Sequence, residues 1–284
     1  MLCNSKTQNI IPLITRIAMA SGVYISKNLT REQLKFIKLI DENEIPYFNM
    51  HEIGDQLNEK FTNLNEILEN LVDKDFLVRV ERGKYRRYDF SDPYVLSTFI
   101  AKEGVVSYWS ALHIQGLTER FPNIVFVKIP FRKRNTRVAG TKVKFVSVKK
   151  DKMAGITKAG YGNKQFPLTN IEMTLVDCFD QNRYAGPLPD LFKAFKQAPL
   201  DSNRLIRYTN IYNNISIIKR MGYLAELLRK EELSDFISFA QKRKNSKYNL
   251  FDPGGENTGE FNNRWRLRMN LSKETILDMV DLSY

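Results

Sequence analysis

The chain has 284 residues, of which 43% are hydrophobic, 12% aromatic and 27% charged. That is an ordinary globular composition, with room for two units of usual size, and it excludes a wholly disordered chain. No apolar run approaches the roughly 20 residues that a bilayer crossing needs. Arg16 breaks the early patch Ile10-Ile11-Pro12-Leu13-Ile14 too soon for a signal peptide, so a cytoplasmic protein with no membrane partner is expected. The net charge of +12 is unevenly placed: residues 1–97 hold 13 Lys/Arg against 14 Asp/Glu, whereas 102–164 hold 14 against three, Glu103, Glu119 and Asp151. So concentrated a surplus favours a polyanionic partner over a merely solvated face.

In chain order, residues 1–29 are expected to be a helical extension and 30–90 a winged helix. Thr30 is placed as an N-cap with Gln33 three residues on, the spacing of a capping box. Leu34, Ile37 and Ile40 then give a helical stripe that ends near Asn43, ahead of Pro46. Asn49 is expected to cap a second short helix with Ile53 and Leu57 inward. Thr62 or Asn63 opens a third through Leu64, Ile67, Leu68, Leu71 and Val72, the place from which a helix-turn-helix protein reads the major groove. Phe76 to Val80 and Tyr85 to Tyr88 alternate about the turn Glu81-Arg82-Gly83-Lys84, a hairpin signal that predicts a wing carrying Arg79, Arg82, Lys84, Tyr85, Arg86 and Arg87. The third helix is acidic (Glu66, Glu69, Asp73) and carries no cation. Asn63 and Asn65 remain as base readers, because Asn pairs adenine through two hydrogen bonds. The wing and the later basic region are therefore expected to supply most of the binding energy.

Residues 91–230 are expected to form a mixed α/β domain, mostly helical in its second half, so that the whole chain is α+β. Asp92-Pro93 opens a connector helix, and Ser107 opens another that ends at Gly116. Ile124 to Ile129 and Thr141 to Val148 are strand candidates. The second strand alternates, with Lys142 and Lys144 on one face, and with Lys128, Arg132, Lys133, Arg134 and Arg137 it makes a second cationic platform. Helices are expected at 168–179, 188–195, 202–208 and 215–228. Residues 231–284 read as a C-terminal extension with a helix, the turn Pro253-Gly254-Gly255, a strand candidate at Trp265 to Arg268 and a last amphipathic helix. There is no internal repeat and no low-complexity tract.

Four segments in this order resemble the AbiEi family, the antitoxins of type IV toxin–antitoxin systems in abortive infection. They are Phe76 to Tyr85 at the wing, Ser107-Tyr108-Trp109-Ser110-Ala111-Leu112 continuing to Thr118, Leu168 to Asp177, and Lys219-Arg220-Met221-Gly222-Tyr223-Leu224. The resemblance spans roughly 30–228. It implies a winged helix that represses its own operon at repeats in the promoter, and a C-terminal domain that contributes to cooperative DNA binding and antitoxicity. It further implies a nucleotidyltransferase-like toxin as functional partner, with no stable complex required. The acidic third helix departs from a simple operator reader, and the tail after Arg229 lies outside the resemblance.

Other chemistries find less support. Cys3, Cys178, His51 and His113 give neither a disulfide framework nor the paired clusters of a zinc site, and no cofactor is expected. A nuclease of restriction type would need Asp followed by Glu-x-Lys on adjacent strands, whereas Glu172 is followed by Met173-Thr174. Two histidines support no catalytic triad, so a binding protein and not an enzyme is expected. Gly155 and Gly160-Tyr161-Gly162 lack the setting of a phosphate loop, and Gly254-Gly255 with Gly259 reads as a turn. A winged helix that docks a protein is the other alternative. If the wing alone engages DNA, about four phosphate contacts give a salt slope of roughly −4, and the second platform steepens it to roughly −7. The steeper value is the expectation from sequence.

Overall fold

The computed structural model describes residues 28–281, so the expected extension at 1–29 and Cys3 lie almost wholly outside the described residues. The described chain is α+β, with eleven helices and three sheets.

The first unit runs α1 (Arg31–Glu42), β1 (Tyr47–Asn49), α2 (Ile53–Gln56), α3 (Leu64–Asp73), β2 (Leu77–Glu81) and β3 (Lys84–Arg87). The capping box forms as read: Gln33 N donates to Thr30 Oγ1 at 3.3 Å, and Thr30 N to Gln33 Oε1 at 3.1 Å. Asn49 does not cap α2. It lies in β1, a short strand that pairs antiparallel with β3 and completes a sheet of order β1-β3-β2. Phe36, Ile40, Phe48, Ile53, Leu68, Leu71 and Tyr85 make this unit's core.

Next come α4 (Pro93–Ile100), β4 (Val105–Val106), α5 (Tyr108–Ile114), β5 (Ile124–Ile129), β6 (Thr136–Val138), β7 (Thr141–Ser147), β8 (Ile156–Ala159) and β9 (Phe166–Thr169). The strands form one sheet of order β6-β7-β5-β4-β9-β8. Strands β5 and β7 are parallel, as are β4 and β9; the other neighbours are antiparallel. These directions place the end of β5 and the β8–β9 hairpin at one end of the sheet, whereas β6 starts opposite Val143, level with Val125. The β6–β7 turn falls at the other end.

Both faces of this sheet are covered. Val125, Val127, Ile129, Val143 and Phe145 pack with Val95, Leu96 and Ile100 of α4, which is thus a core helix and not a connector. Phe126 and Val146 face the opposite side. There α5, α6 (Ile171–Asp180), α7 (Leu188–Gln197), α8 (Ser202–Tyr212) and α9 (Ile215–Leu227) share a large core. The later segment joins that core through α10 (Ser234–Arg243), β10 (Asn249–Leu250), β11 (Glu260–Asn262), β12 (Leu267–Met269) and α11 (Lys273–Asp281). Phe236, Phe251, Trp265, Leu267 and Ile276 are buried with residues of α6 to α9. Trp265 lies so close to α9 that a Cβ on Gly222 would stand 2.4 Å from its ring, and its Nε1 donates to Glu226 at 2.6 Å. Among the described residues no helix is long and apolar enough to cross a membrane.

Candidate nucleic-acid interface

The β2–β3 hairpin turns through Arg82 and Gly83, the latter at φ +71°, where a missing Cβ removes the steric penalty. Its cations have different fates. Arg82 is exposed and makes no ion pair among the described residues. Arg79 is exposed and pairs with Glu69 of α3 at 3.3 Å, a surface contact that another anion can displace. Lys84 Nζ turns inward, donating to the carbonyls of Phe99 and Ile100 at 3.1 and 3.2 Å at the negative end of α4. Arg86 donates to the carbonyls of Arg87, Tyr88 and Phe90 at 2.9, 2.8 and 2.7 Å, and Arg87 pairs with Asp41 and Asp89. Tyr85 is 1% exposed and stacks on Phe48. Tyr85 is thus a core residue and not a DNA contact, and Lys84, Arg86 and Arg87 are fixed by structural partners.

The second platform is also divided. Lys128 is wholly buried, 0% exposed, and its Nζ lies 2.6 Å from Asp177 of α6, so it cannot touch DNA. Lys144 is half-buried with its Nζ 5.9 Å from the centre of the Tyr184 ring, on the face covered by helices. Lys133 is half-buried and donates to Glu81 Oε1 at 2.6 Å. Arg132, Arg134, Arg137 and Lys142 are exposed. Arg137 and Lys142 face each other across β6 and β7 near the far end of the sheet. Arg137, three residues after Arg134, is opposite Lys142, which is itself opposite Ile124, so the β5–β6 connection leads past Arg132 and Arg134 to this pair, starting from the Ile129 end of β5.

The first unit meets the sheet at that same end. The Lys133–Glu81 bond joins the β5–β6 connection to β2. Burial pushes the Glu81 carboxyl up, but the bonds and charges of Lys133 and Lys84 outweigh it and hold it below the usual carboxylate range. On the other side Asn163 of the β8–β9 hairpin donates to the carbonyls of Asn43 and Glu44 at 3.3 and 3.1 Å. Tyr47 stacks on Phe90 and packs on Phe99. The exposed cations Arg79 and Arg82 therefore lie on a hairpin bonded to the segment that carries Arg132 and Arg134. Asn63 and Asn65, at the start of α3, are exposed, and Asn63 caps that helix with its backbone only. Sequence reasoning did not find the Asn163 clasp: its acceptors are backbone carbonyls, for which no residue pattern stands.

Two acids of α6, Glu172 and Asp177, are not at the surface. Asp177 is buried among Lys128, Ser107 and Tyr212, and Glu172 accepts from Asp201 N at 3.2 Å beneath Arg204. Among the described residues no group of three His, Cys, Asp or Glu is placed to hold a metal.

No family model matches the chain, and no curated protein matches it. Among solved structures, the RV2827C protein from Mycobacterium tuberculosis is similar at a TM-score of 0.64 and 16% identity, over 92% of this chain and 99% of that one. At that identity the likeness shows a shared fold alone, and the shared fold extends over nearly the whole chain.

Proposed function

We propose that the protein is a DNA-binding regulator of the AbiEi type, a promoter-binding autorepressor that serves as antitoxin to a nucleotidyltransferase-like toxin and carries out no catalysis of its own. In this reading residues 30–90 act as a winged helix, with α3 offering Asn63 and Asn65 to bases and β2–β3 as the wing. The observation that carries it is the Lys133–Glu81 bond, which sets the exposed arginines of the wing beside those of the β5–β6 connection as one basic strip.

The strip is shorter than the sequence suggested. Lys84, Arg86, Arg87, Lys128, Lys133 and Lys144 have structural partners, which leaves Arg79, Arg82, Arg132 and Arg134 nearest the Lys133–Glu81 bond as the strip's phosphate contacts, with the exposed Arg137 and Lys142 farther along on β6 and β7. About four contacts give a salt slope of roughly −4, not −7. The test is anisotropy of labelled DNA from the chain's own upstream region against a scrambled duplex, at two salt concentrations. Tighter binding to the upstream duplex, with a slope near −4 that flattens by about two in Arg132→Ala/Arg134→Ala, supports the reading. Absence of binding to either duplex would overturn it and favour a protein-docking role for the acidic α3.

A further inference from the structure

The β8–β9 hairpin presents a ring that nothing among the described residues covers. Tyr161 is 92% exposed, the most open large hydrophobic side chain among the described residues. Single exposed aromatics are common on protein surfaces, but this one stands on a rigid mount. Gly160 sits at φ +85°, and a Cβ there would come 2.3 Å from the Lys164 carbonyl, so the chain closes too tightly for any other residue. Lys164 N donates back to the Tyr161 carbonyl at 2.9 Å. Asn163 is clasped to the last carbonyls at the end of α1. A loop needed only to join two strands would be served by small polar residues, and here a fixed turn holds a ring in water.

Charge surrounds the ring. Lys158 on β8 is exposed with no ion-pair partner among the described residues, and Lys164 is exposed, leaning toward the Phe90 ring at 6.0 Å. The hairpin lies at the Ile129 end of the sheet, where the connection that carries Arg132 and Arg134 starts. Three strand steps separate β5 from β8, about 14 Å at ordinary spacing, and that connection leaves β5 on the side away from β8. Aromatic rings between cations suit nucleotides, because the ring packs on a sugar or base face while the cations meet flanking phosphates.

We propose that Tyr161 is a second, non-electrostatic contact to duplex DNA, its ring packing on the sugar–base face of one nucleotide beside the groove that the arginine strip follows. The proposal rests on the DNA-binding reading, and the experiment separates the two. Full-length wild type, Tyr161→Ala, Tyr161→Phe and Lys158→Ala are titrated against the labelled upstream duplex over a range of salt. The exposed ring contributes nothing to the core, so matched thermal melts confirm that each variant is folded. Tyr161→Ala is expected to bind about tenfold more weakly with an unchanged salt slope, and Tyr161→Phe within about twofold of wild type. Lys158→Ala is expected to flatten the slope by about one. Unchanged affinity in Tyr161→Ala overturns the proposal while the DNA reading stands, and assigns the ring to a protein contact. Equal weakening in Tyr161→Phe overturns it too, since the hydroxyl and not the ring would then matter. A wild type that binds no duplex overturns both.

Discussion

Asp177 anchors a buried polar cluster of the interior. Its carboxylate takes bonds from Lys128 Nζ and Ser107 Oγ, each at 2.6 Å, and from the Tyr212 hydroxyl, all out of contact with water. Burial first, and then the Asp177 charge, pushes the Tyr108 and Tyr212 hydroxyls far above their usual range, so both stay neutral, and Tyr212 donates to Asp177. A buried ion pair of this kind adds little by forming, but breaking it strands a charge. Asp177→Ala should therefore cost about 3–5 kcal/mol in urea unfolding. Adding Lys128→Met, which removes the stranded charge, should restore more than half of that loss. A cost within 1 kcal/mol, or a double variant no better than the single, would show the network to be incidental. The same residues mark where sequence reading stopped. Alternation along β5 separates its two faces correctly, but both faces of this sheet are covered, so Lys128 lies among helices where a one-sided sheet would have put it in water. Tyr85 was misread likewise, since a tyrosine between cations in a hairpin looks like a phosphate contact until β1 packs Phe48 against it.

Between elements, Lys219 ties α9 to the segment after 231. It is fully buried, and its Nζ donates to Asn245 Oδ1 and to the carbonyls of Lys247 and Arg266, with no carboxylate among these partners. Burial, with the charges of Arg220 and Lys247, pushes its pKa down to about 8 from an ordinary 10.5. Below pH 8 both states carry the proton, and the folded state bears the full penalty of a buried charge. Between 8 and 10.5 the unfolded chain holds more protons, so this contribution to stability improves as pH rises. The buried tyrosines and Cys178, with raised pKa values, act in the opposite sense at alkaline pH, so the comparison must be with a variant. Wild type minus Lys219→Met should gain in melting temperature from pH 8 to pH 10. A constant difference would show that Lys219 is charged throughout. Elements such as α1, β5, β7 and α6 to α9 were legible because each carries its own period over six or more residues. Strands β1, β4, β6, β8 and β9 run only two to four residues, too short to carry a period of their own, and β1, β4 and β9 also pair with strands far along the chain. The Tyr161 hairpin was hidden for that reason: without β8 and β9, its glycines read as a loose loop.

For the whole molecule, the arrangement of the first unit against the six-stranded sheet sets the proposed DNA surface. Lys133–Glu81 at β2, Asn163 at the end of α1 and Lys84 at the end of α4 hold it, with Tyr47 packed between Phe90 and Phe99. The charge surplus at 102–164 was visible from composition, but its division into buried, bonded and exposed cations depends on this packing. Glu81 tests which matters more. Replacing it with Ala frees Lys133 and adds one net positive charge, which by electrostatics alone tightens binding to any DNA. It also unties the β2–β3 hairpin from the β5–β6 connection, which weakens whatever recognition needs both arginine pairs at once. The two effects separate on different duplexes. With Glu81→Ala, affinity for scrambled DNA should rise about twofold, while the preference for the upstream duplex falls about five- to tenfold. The measurement is the ratio of dissociation constants on the two duplexes at one salt concentration. If affinity rises equally for both, the Lys133–Glu81 bond does not position the wing and the strip acts through charge alone.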